Sequence, residues 1–300
     1  MNLCNPSVVR QLMEEAGISF RKDFGQNFLI DLSVPERIAD SCAAREDMLV
    51  LEIGPGVGCL TQQLAERFSR VLAIEIDRGL IPVLTKTMAP YDNVRIVNAD
   101  VMEVDLPALV AEEAAGRPVA VCANLPYYIT TPILMRLLEC GVPFTSITVM
   151  VQNEVAARLA AKPGASDYGA ITAVLGYYGT VKKLFAVPPG CFMPAPKVSS
   201  AVIRIDLYQH SPYRPKDEAF FFRVVRAAFG MRRKTLVNAL SALGEGYSKE
   251  QLTEAVTACG FPSTIRGERL STSDFVRLSD HLFEMATPNR PVSNLQPEDE

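Results

Sequence analysis

Two histidines, His210 and His281, are all that 300 residues offer. A zinc centre or a histidine-based triad is therefore not expected, because both need convergent imidazoles. No apolar run approaches the ~20 residues that a membrane-spanning helix requires. The first ten residues lack the basic-then-apolar build of a secretory signal, so the expectation is a cytoplasmic protein without membrane association. None of the seven cysteines (Cys4, Cys42, Cys59, Cys122, Cys140, Cys191, Cys259) stands in a C-x-x-C pair. Such dispersal reads as reduced thiols, most of them buried as small hydrophobes. The chemistry must come from other groups.

Acid is missing from one long stretch. Between residues 219 and 243 there is no Asp or Glu, while Arg223, Arg226, Arg232, Arg233 and Lys234 supply five positive charges. The net charge of −4 hides this basic segment, and local asymmetry says more about a polyanionic partner than the sum does. Apolar residues at 48% and charged residues at 21% fit a globular chain of one large and one small domain.

What is present is a regular alternation. Val- and Ile-rich runs at 48–53, 70–75, 94–98, 119–123 and 146–151 are separated by helical spacing at 59–68, 80–88, 107–115 and 132–139. This pattern predicts an α/β fold with a doubly wound, Rossmann-like parallel sheet. Segments 176–185 and 200–206 read as two later strands able to pair antiparallel. The Pro-containing stretch 209–216 marks a linker, and beyond it 217–228, 234–243, 248–258 and 273–283 all carry helical spacing. The expected organisation is a domain at 1–208, a small all-helical domain at 209–287, and a disordered tail at 288–300.

The first strand runs into Gly54-Pro55-Gly56-Val57-Gly58 and then at once into a helix. Glycines there let the backbone turn tightly and approach a ligand, with helix N–H groups aimed at it. A dinucleotide fingerprint wants glycine at the sixth position, where Cys59 stands, which weighs against a nicotinamide or flavin enzyme. Glu75, 21 residues past Gly54, ends the next strand where an acid accepts from ribose hydroxyls. Asp100, in Asn98-Ala99-Asp100-Val101, ends the third and is placed to accept from an adenine amino group. Three successive strand ends thus indicate an adenosine-type cofactor.

The fourth strand ends in Asn124-Leu125-Pro126-Tyr127. An adenine amino group is a poor nucleophile because its lone pair is delocalised into the ring. Acceptors around its hydrogens, here Asn124 Oδ1 and the Leu125 carbonyl, localise that lone pair and aim it. Pro126 stiffens the turn, and Tyr127 can stack on an extruded base.

At these residues the chain resembles the ribosomal RNA adenine dimethyltransferases of the bacterial KsgA/RsmA group, over nearly everything from residue 20 to 283. Phe24-Gly25-Gln26-Asn27-Phe28-Leu29 is similar to the family's entry motif, and the resemblance implies that Asn27 and Leu29 contact the methionine end of S-adenosyl-L-methionine. Leu51-Glu52-Ile53-Gly54-Pro55-Gly56 resembles its glycine loop. The implied cofactor residues are then Asn27, Leu29, Gly54, Gly56, Gly58, Glu75, Ile76, Asp100, Val101 and Asn124. Leu125 favours the small-subunit group over the Erm branch, which more often has Ile. Phe192 to Ser200 resembles the loop whose aromatic stacks on the target base, so Phe192 and Tyr127 are expected to sandwich the adenine, with Lys197 of the same loop on RNA. Phe229 to Leu236 is similar to the basic motif of the helical domain, and together with the acid-free stretch it makes Arg223, Arg226, Arg232, Arg233 and Lys234 the expected RNA contacts.

Two departures thin the positive surface expected beside the site. Asn153 stands where the family often has Lys, and Ala170 follows Tyr168-Gly169 where a basic residue is common. The resemblance implies metal-free dimethylation of adenines, two adjacent ones, in small-subunit ribosomal RNA within a pre-ribosomal particle, by a monomer. An Erm-like, DNA or small-molecule methyltransferase, and a non-enzymatic assembly factor, are the competing classes.

Overall fold

The computed structural model describes residues 1–18, 27–42, 45–231, 233–244 and 246–286. Arg232, the Phe24–Gln26 part of the entry motif and the tail expected at 288–300 lie outside them.

The chain packs as two units, one of Met1–Ala160 with Tyr178–His210, the other of Ala161–Tyr177 with the chain from Ser211. In the first, α1 (Pro6–Glu15) and α2 (Ser33–Cys42) flank a short β1 (Phe28–Leu29). Then follow β2 (Leu49–Ile53), α3 (Cys59–Ala65), β3 (Arg70–Glu75), α4 (Ile81–Met88), β4 (Val94–Asn98) and α5 (Leu106–Ala114). The alternation continues with β5 (Val119–Asn124), α6 (Thr130–Glu139), β6 (Phe144–Gln152) and α7 (Asn153–Leu159). After α8 (Ala170–Tyr178), β7 (Gly179–Val187), β8 (Phe192–Met193) and β9 (Ser200–Leu207) complete the strands.

Seven strands form one sheet in the order β4-β3-β2-β5-β6-β9-β7. The first five are parallel and β9 and β7 antiparallel. Central strands read as unbroken apolar runs because helices cover both faces, and every residue of β2 is buried. The order reverses at β2, whose neighbours are β3 on one side and β5 on the other. In open α/β sheets a ligand crevice forms at such a switch point, beyond the carboxyl ends of the strands. β1 and β8 form a separate two-stranded ladder, Phe28 opposite Met193 and Leu29 opposite Phe192.

The second unit is helical: α8, α9 (Glu218–Gly230), α10 (Leu236–Leu240), α11 (Lys249–Ala258) and α12 (Thr272–Ala286). Their starts carry the expected caps. Asp217 accepts from the Phe220 N–H at 2.7 Å, and Ser248 with Gln251 forms a reciprocal capping box.

The reading of 1–208 as one uninterrupted domain needs correcting at 161–177. That segment is claimed by partners a hundred residues further on. The Tyr168 hydroxyl donates to the Leu270 carbonyl at 2.9 Å, Thr272 Oγ1 donates to the Ala173 carbonyl at 3.0 Å, and the Gly164 N–H donates to the Glu268 carbonyl at 2.7 Å. Gly176 is the tightest point, since a Cβ there would lie 2.3 Å from Thr272 Oγ1. Gly176→Ala is therefore expected to cost about 1–3 kcal/mol by overpacking, read as a lower urea midpoint. An unchanged midpoint would show that Thr272 moves aside freely.

Candidate active site

Because β2, β3, β4 and β5 are parallel, their carboxyl ends share one edge, and the residues that leave them are neighbours. Gly54 follows Ile53, which is level with Ile74 of β3 and Ala123 of β5. A cleft opens there, walled by Asn27, Leu29, Glu52, Gly54, Gly56, Glu75, Ile76 and the run Asn124 to Tyr128. Residues from the entry motif, the glycine loop, the second strand end and the fourth strand end thus meet at one place.

The glycine loop separates into two uses. Gly54 and Gly56 have φ of 70° and 64°, a left-handed backbone that favours glycine. A Cβ on Gly54 would meet nothing within 4 Å, whereas one on Gly56 would press on the Phe28 ring at 3.1 Å. Gly58 does not line the cleft. Its missing side chain leaves room for Met88 and Thr87, since a Cβ would sit 2.7 Å from Met88 Cε. It serves the packing of α4 against the loop.

Glu75 is buried, and each of its oxygens is held by the backbone. The Gly56 N–H donates to Oε2 at 3.1 Å and the Asp77 N–H to Oε1 at 2.8 Å. Burial raises its carboxyl above the ordinary range, and these amide donors oppose the rise. The second carboxylate is Glu52, only 1% exposed, whose Oε2 has no hydrogen-bond partner. Burial pushes this carboxyl up to about 8, the Glu75 charge adds to the rise, and the Thr61 hydroxyl offsets part of it. Among the residues lining the cleft there is no Lys or Arg. Two carboxylates, one orphaned, with no cation beside them form a cradle for a positively charged ligand.

Besides Gly58, two of the expected cofactor residues stand outside the cleft walls. Asp100 Oδ1 accepts from the Met102 N–H at 2.8 Å, folding the carboxylate onto its own turn, and Val101 is buried. Neither lines the cavity, and β4, which they follow, is the edge strand of the sheet.

At the catalytic strand end the Leu125 N–H donates to the Met150 carbonyl at 3.2 Å, and the Pro126 carbonyl accepts from Thr130 Oγ1 at 3.1 Å. The turn is thereby fixed on both sides. The Tyr127 hydroxyl shares a 2.6 Å hydrogen bond with Ser200 Oγ of β9, and burial keeps this phenol neutral by raising its pKa. Phe192 differs from expectation. Its ring is 3% exposed and belongs to the core with Leu29, Val34 and Ile38; it does not line the cleft. The two-residue β8 turns it inward. Tyr128, which the sequence reading missed, lines the cleft and is 62% exposed.

Lys197 is exposed, as are Arg223, Arg226, Arg233 and Lys234 in the helical unit. The charge missing at Asn153 is supplied from another strand, since Lys183 Nζ of β7 donates to Asn153 Oδ1 at 2.7 Å. No group of three or more potential metal ligands occurs among the described residues, and none of their helices is long and apolar enough to cross a membrane.

The family model for ribosomal RNA adenine dimethylase matches residues 17–268. The chain belongs to that family. It is 47% identical over 284 residues to ribosomal RNA small subunit methyltransferase A of Lachnoclostridium phytofermentans, covering 94% of this chain and 98% of that one. To the protein of the same name from Geobacillus kaustophilus it is 46% identical, with 94% and 97% covered. Among solved structures, the 23S rRNA methyltransferase ErmE superposes with a TM-score of 0.66 at 26% identity, over 86% of this chain and all of that one. A dimethyladenosine transferase from Plasmodium falciparum shares the fold, with a TM-score of 0.71 at 23% identity over 84% and 95%. This dimethylase therefore carries its glycine loop and its Asn124–Tyr127 turn on one sheet edge.

Proposed function

We propose that this dimethylase transfers methyl groups from S-adenosyl-L-methionine to the N6 amino group of adenines in small-subunit ribosomal RNA, dimethylating two adjacent adenines in the cytoplasm. The single observation that carries the cofactor assignment is the cleft's charge: two buried carboxylates and no cation among the residues lining it. The cofactor supplies an electrophilic sulfonium methyl when bound. Glu52 would meet its ammonium group and Glu75 its ribose, while Gly54 and Gly56 leave room for its backbone. Asn27 and Leu29 would border the methionine end, Ile76 the adenine face, and Asp100 with Val101 the adenine edge beyond the cleft walls.

Asn124 Oδ1 and the Leu125 carbonyl would accept from the target amino group, so that its lone pair points at the methyl. The proton leaves to water once the nitrogen is cationic, so no strong base is needed. Tyr127 and exposed Tyr128 would stack on the base, and Phe192, which is buried, would have to turn out of the core to complete the expected sandwich. Tyr128→Ala should raise KM for the RNA about fivefold to a hundredfold with a smaller change in kcat, and Tyr128→Phe should restore KM. Equal losses in both parameters, unrescued by Phe, would remove Tyr128 from the base site.

A pre-ribosomal particle is the proposed substrate and a monomer the proposed enzyme, because a splayed loop adenine must be gripped through its neighbours' backbone. The test is transfer of tritiated methyl from S-adenosyl-L-methionine to separated ribosomal subunits from cells lacking the activity. Label in N6,N6-dimethyladenosine of the small subunit is expected; label confined to the large subunit would assign the enzyme an Erm-like substrate.

A further inference from the structure

The helical unit carries a second, open cavity on its surface, of about 490 Å³. It is built on the outward face of α9. Phe220, Phe221, Val224, Val225 and Ala228 bury the inward face. Arg223, Arg226, Ala227 and Gly230 recur at i, i+3, i+4 and i+7 along the other side and line the cavity. Met231 and Leu243 close it.

Four features distinguish this site from a stretch of solvated charge. Gly230 is exposed and not required by its backbone, and a Cβ there would meet nothing within 4 Å, so a larger side chain has open space to occupy. Met231 is 46% exposed and offers a soft, polarisable apolar surface at the rim. The segment 219–243, which supplies every wall, contains no acid, so the field from these walls is of one sign. Arg223 is held in place over the Phe220 ring, 5.1 Å from its centroid.

Guanidinium groups beside an apolar floor match a flat aromatic body that carries an anion. We infer that this cavity receives one unstacked nucleotide of the RNA, its base against Ala227, Met231 and Leu243 and its phosphate on Arg226 and Arg223. The inference rests on the reading of this protein as an RNA enzyme and adds to it a second nucleotide site apart from the methyl-transfer cleft. Arginine suits the role because its planar fork both stacks on bases and pairs with phosphate.

Gly230→Leu tests the cavity without altering any charge. Binding of the full-length protein to small subunits lacking the modification, and to the naked small-subunit RNA, is measured by filter retention across a salt series. Thermal unfolding confirms that the variant is folded, and Gly230→Ala controls for the helix. Filling the cavity should weaken binding to both probes about tenfold, as one base loses its apolar contact, with the slope of log K against log salt unchanged. Arg226→Ala should weaken binding and also shallow that slope by nearly one ion. Wild-type affinity in a folded Gly230→Leu variant overturns the inference. A loss seen with subunits but not with naked RNA also overturns it, assigning the cavity to a ribosomal protein side chain. Both readouts are of binding alone, so failure of wild-type methyl transfer would sink the activity reading separately.

Discussion

Replacing Asn124 with alanine should lower methyl transfer to small-subunit RNA by about 10²–10³-fold, the usual cost of removing one preorganised polar contact to a reacting group. The loss belongs in kcat. Asn124 lies at the end of β5, opposite Met150 of β6, and the Leu125–Met150 hydrogen bond holds the backbone whether or not the amide is present. The neighbouring carbonyl of Leu125 and the stacking phenol of Tyr127 would remain, so RNA binding should change little. Cofactor affinity should fall less than tenfold, because Glu52 and Glu75 lie on β2 and β3 and are untouched. Single-turnover rates beside calorimetric affinities separate these effects. A variant that methylates near-normally would strip Asn124 of its role.

Cofactor affinity should itself depend on pH, through Glu52. Burial holds its carboxyl up to about 8, so in the free protein at pH 6–7 it is mostly protonated. A cationic ligand favours the carboxylate, and binding in that range therefore releases a proton. The dissociation constant should fall about tenfold between pH 6 and pH 7, one proton's worth of linkage. The ligand's own α-amino group, with a pKa of about 7.7–8.0, stays charged over the same window. The stability of the ligand-free protein carries the opposite sign. A carboxyl raised from 4.5 to about 8 on folding contributes stability below 4.5 that is lost as pH climbs through 8. Glu52→Gln should abolish both dependences and weaken cofactor binding about 10- to 100-fold at pH 7.5, the loss of a charged hydrogen bond. Calorimetry in buffers of different ionisation heat counts the protons. A pH-independent affinity, identical in wild type and Glu52→Gln, would place the ammonium elsewhere.

Glu52 also shows where the sequence could have been read further. A glutamate inside the apolar run Leu49-Val50-Leu51-Glu52-Ile53 carries a desolvation cost that demands a partner. That signal was available without coordinates. The parallel core was legible because a strand covered on both faces must be continuously apolar, and the turns at Gly54 and Asn124 follow such strands directly. Positions along the chain did not reveal side-chain direction. Asp100 accepts from its own turn at Met102 and Phe192 packs among core residues, directions that spacing along the chain does not show. The β1–β8 ladder is two residues long on each strand, too short for any periodicity.

The helices at 153–159 and 170–178 were missed for a different reason. α8 is rich in β-branched and aromatic residues (Ile171, Thr172, Val174, Tyr177), a composition that favours strand. Its helical state is supported by Thr272, far along the chain, so tertiary partners decide it. Lys183 illustrates the same limit. Its ammonium reaches Asn153 across 30 positions of sequence, restoring a charge that appeared lost when only the motif was inspected.

A ternary crystal structure, with S-adenosyl-L-homocysteine and an adenosine-containing RNA fragment bound to the wild-type protein, probes the central geometry most directly. The account predicts adenine N6 within hydrogen-bond reach of both Asn124 Oδ1 and the Leu125 carbonyl, facing the cofactor sulfur, with the cofactor amine on Glu52. A sulfur turned away from Asn124, or an adenine with no room beside Tyr127, would contradict it.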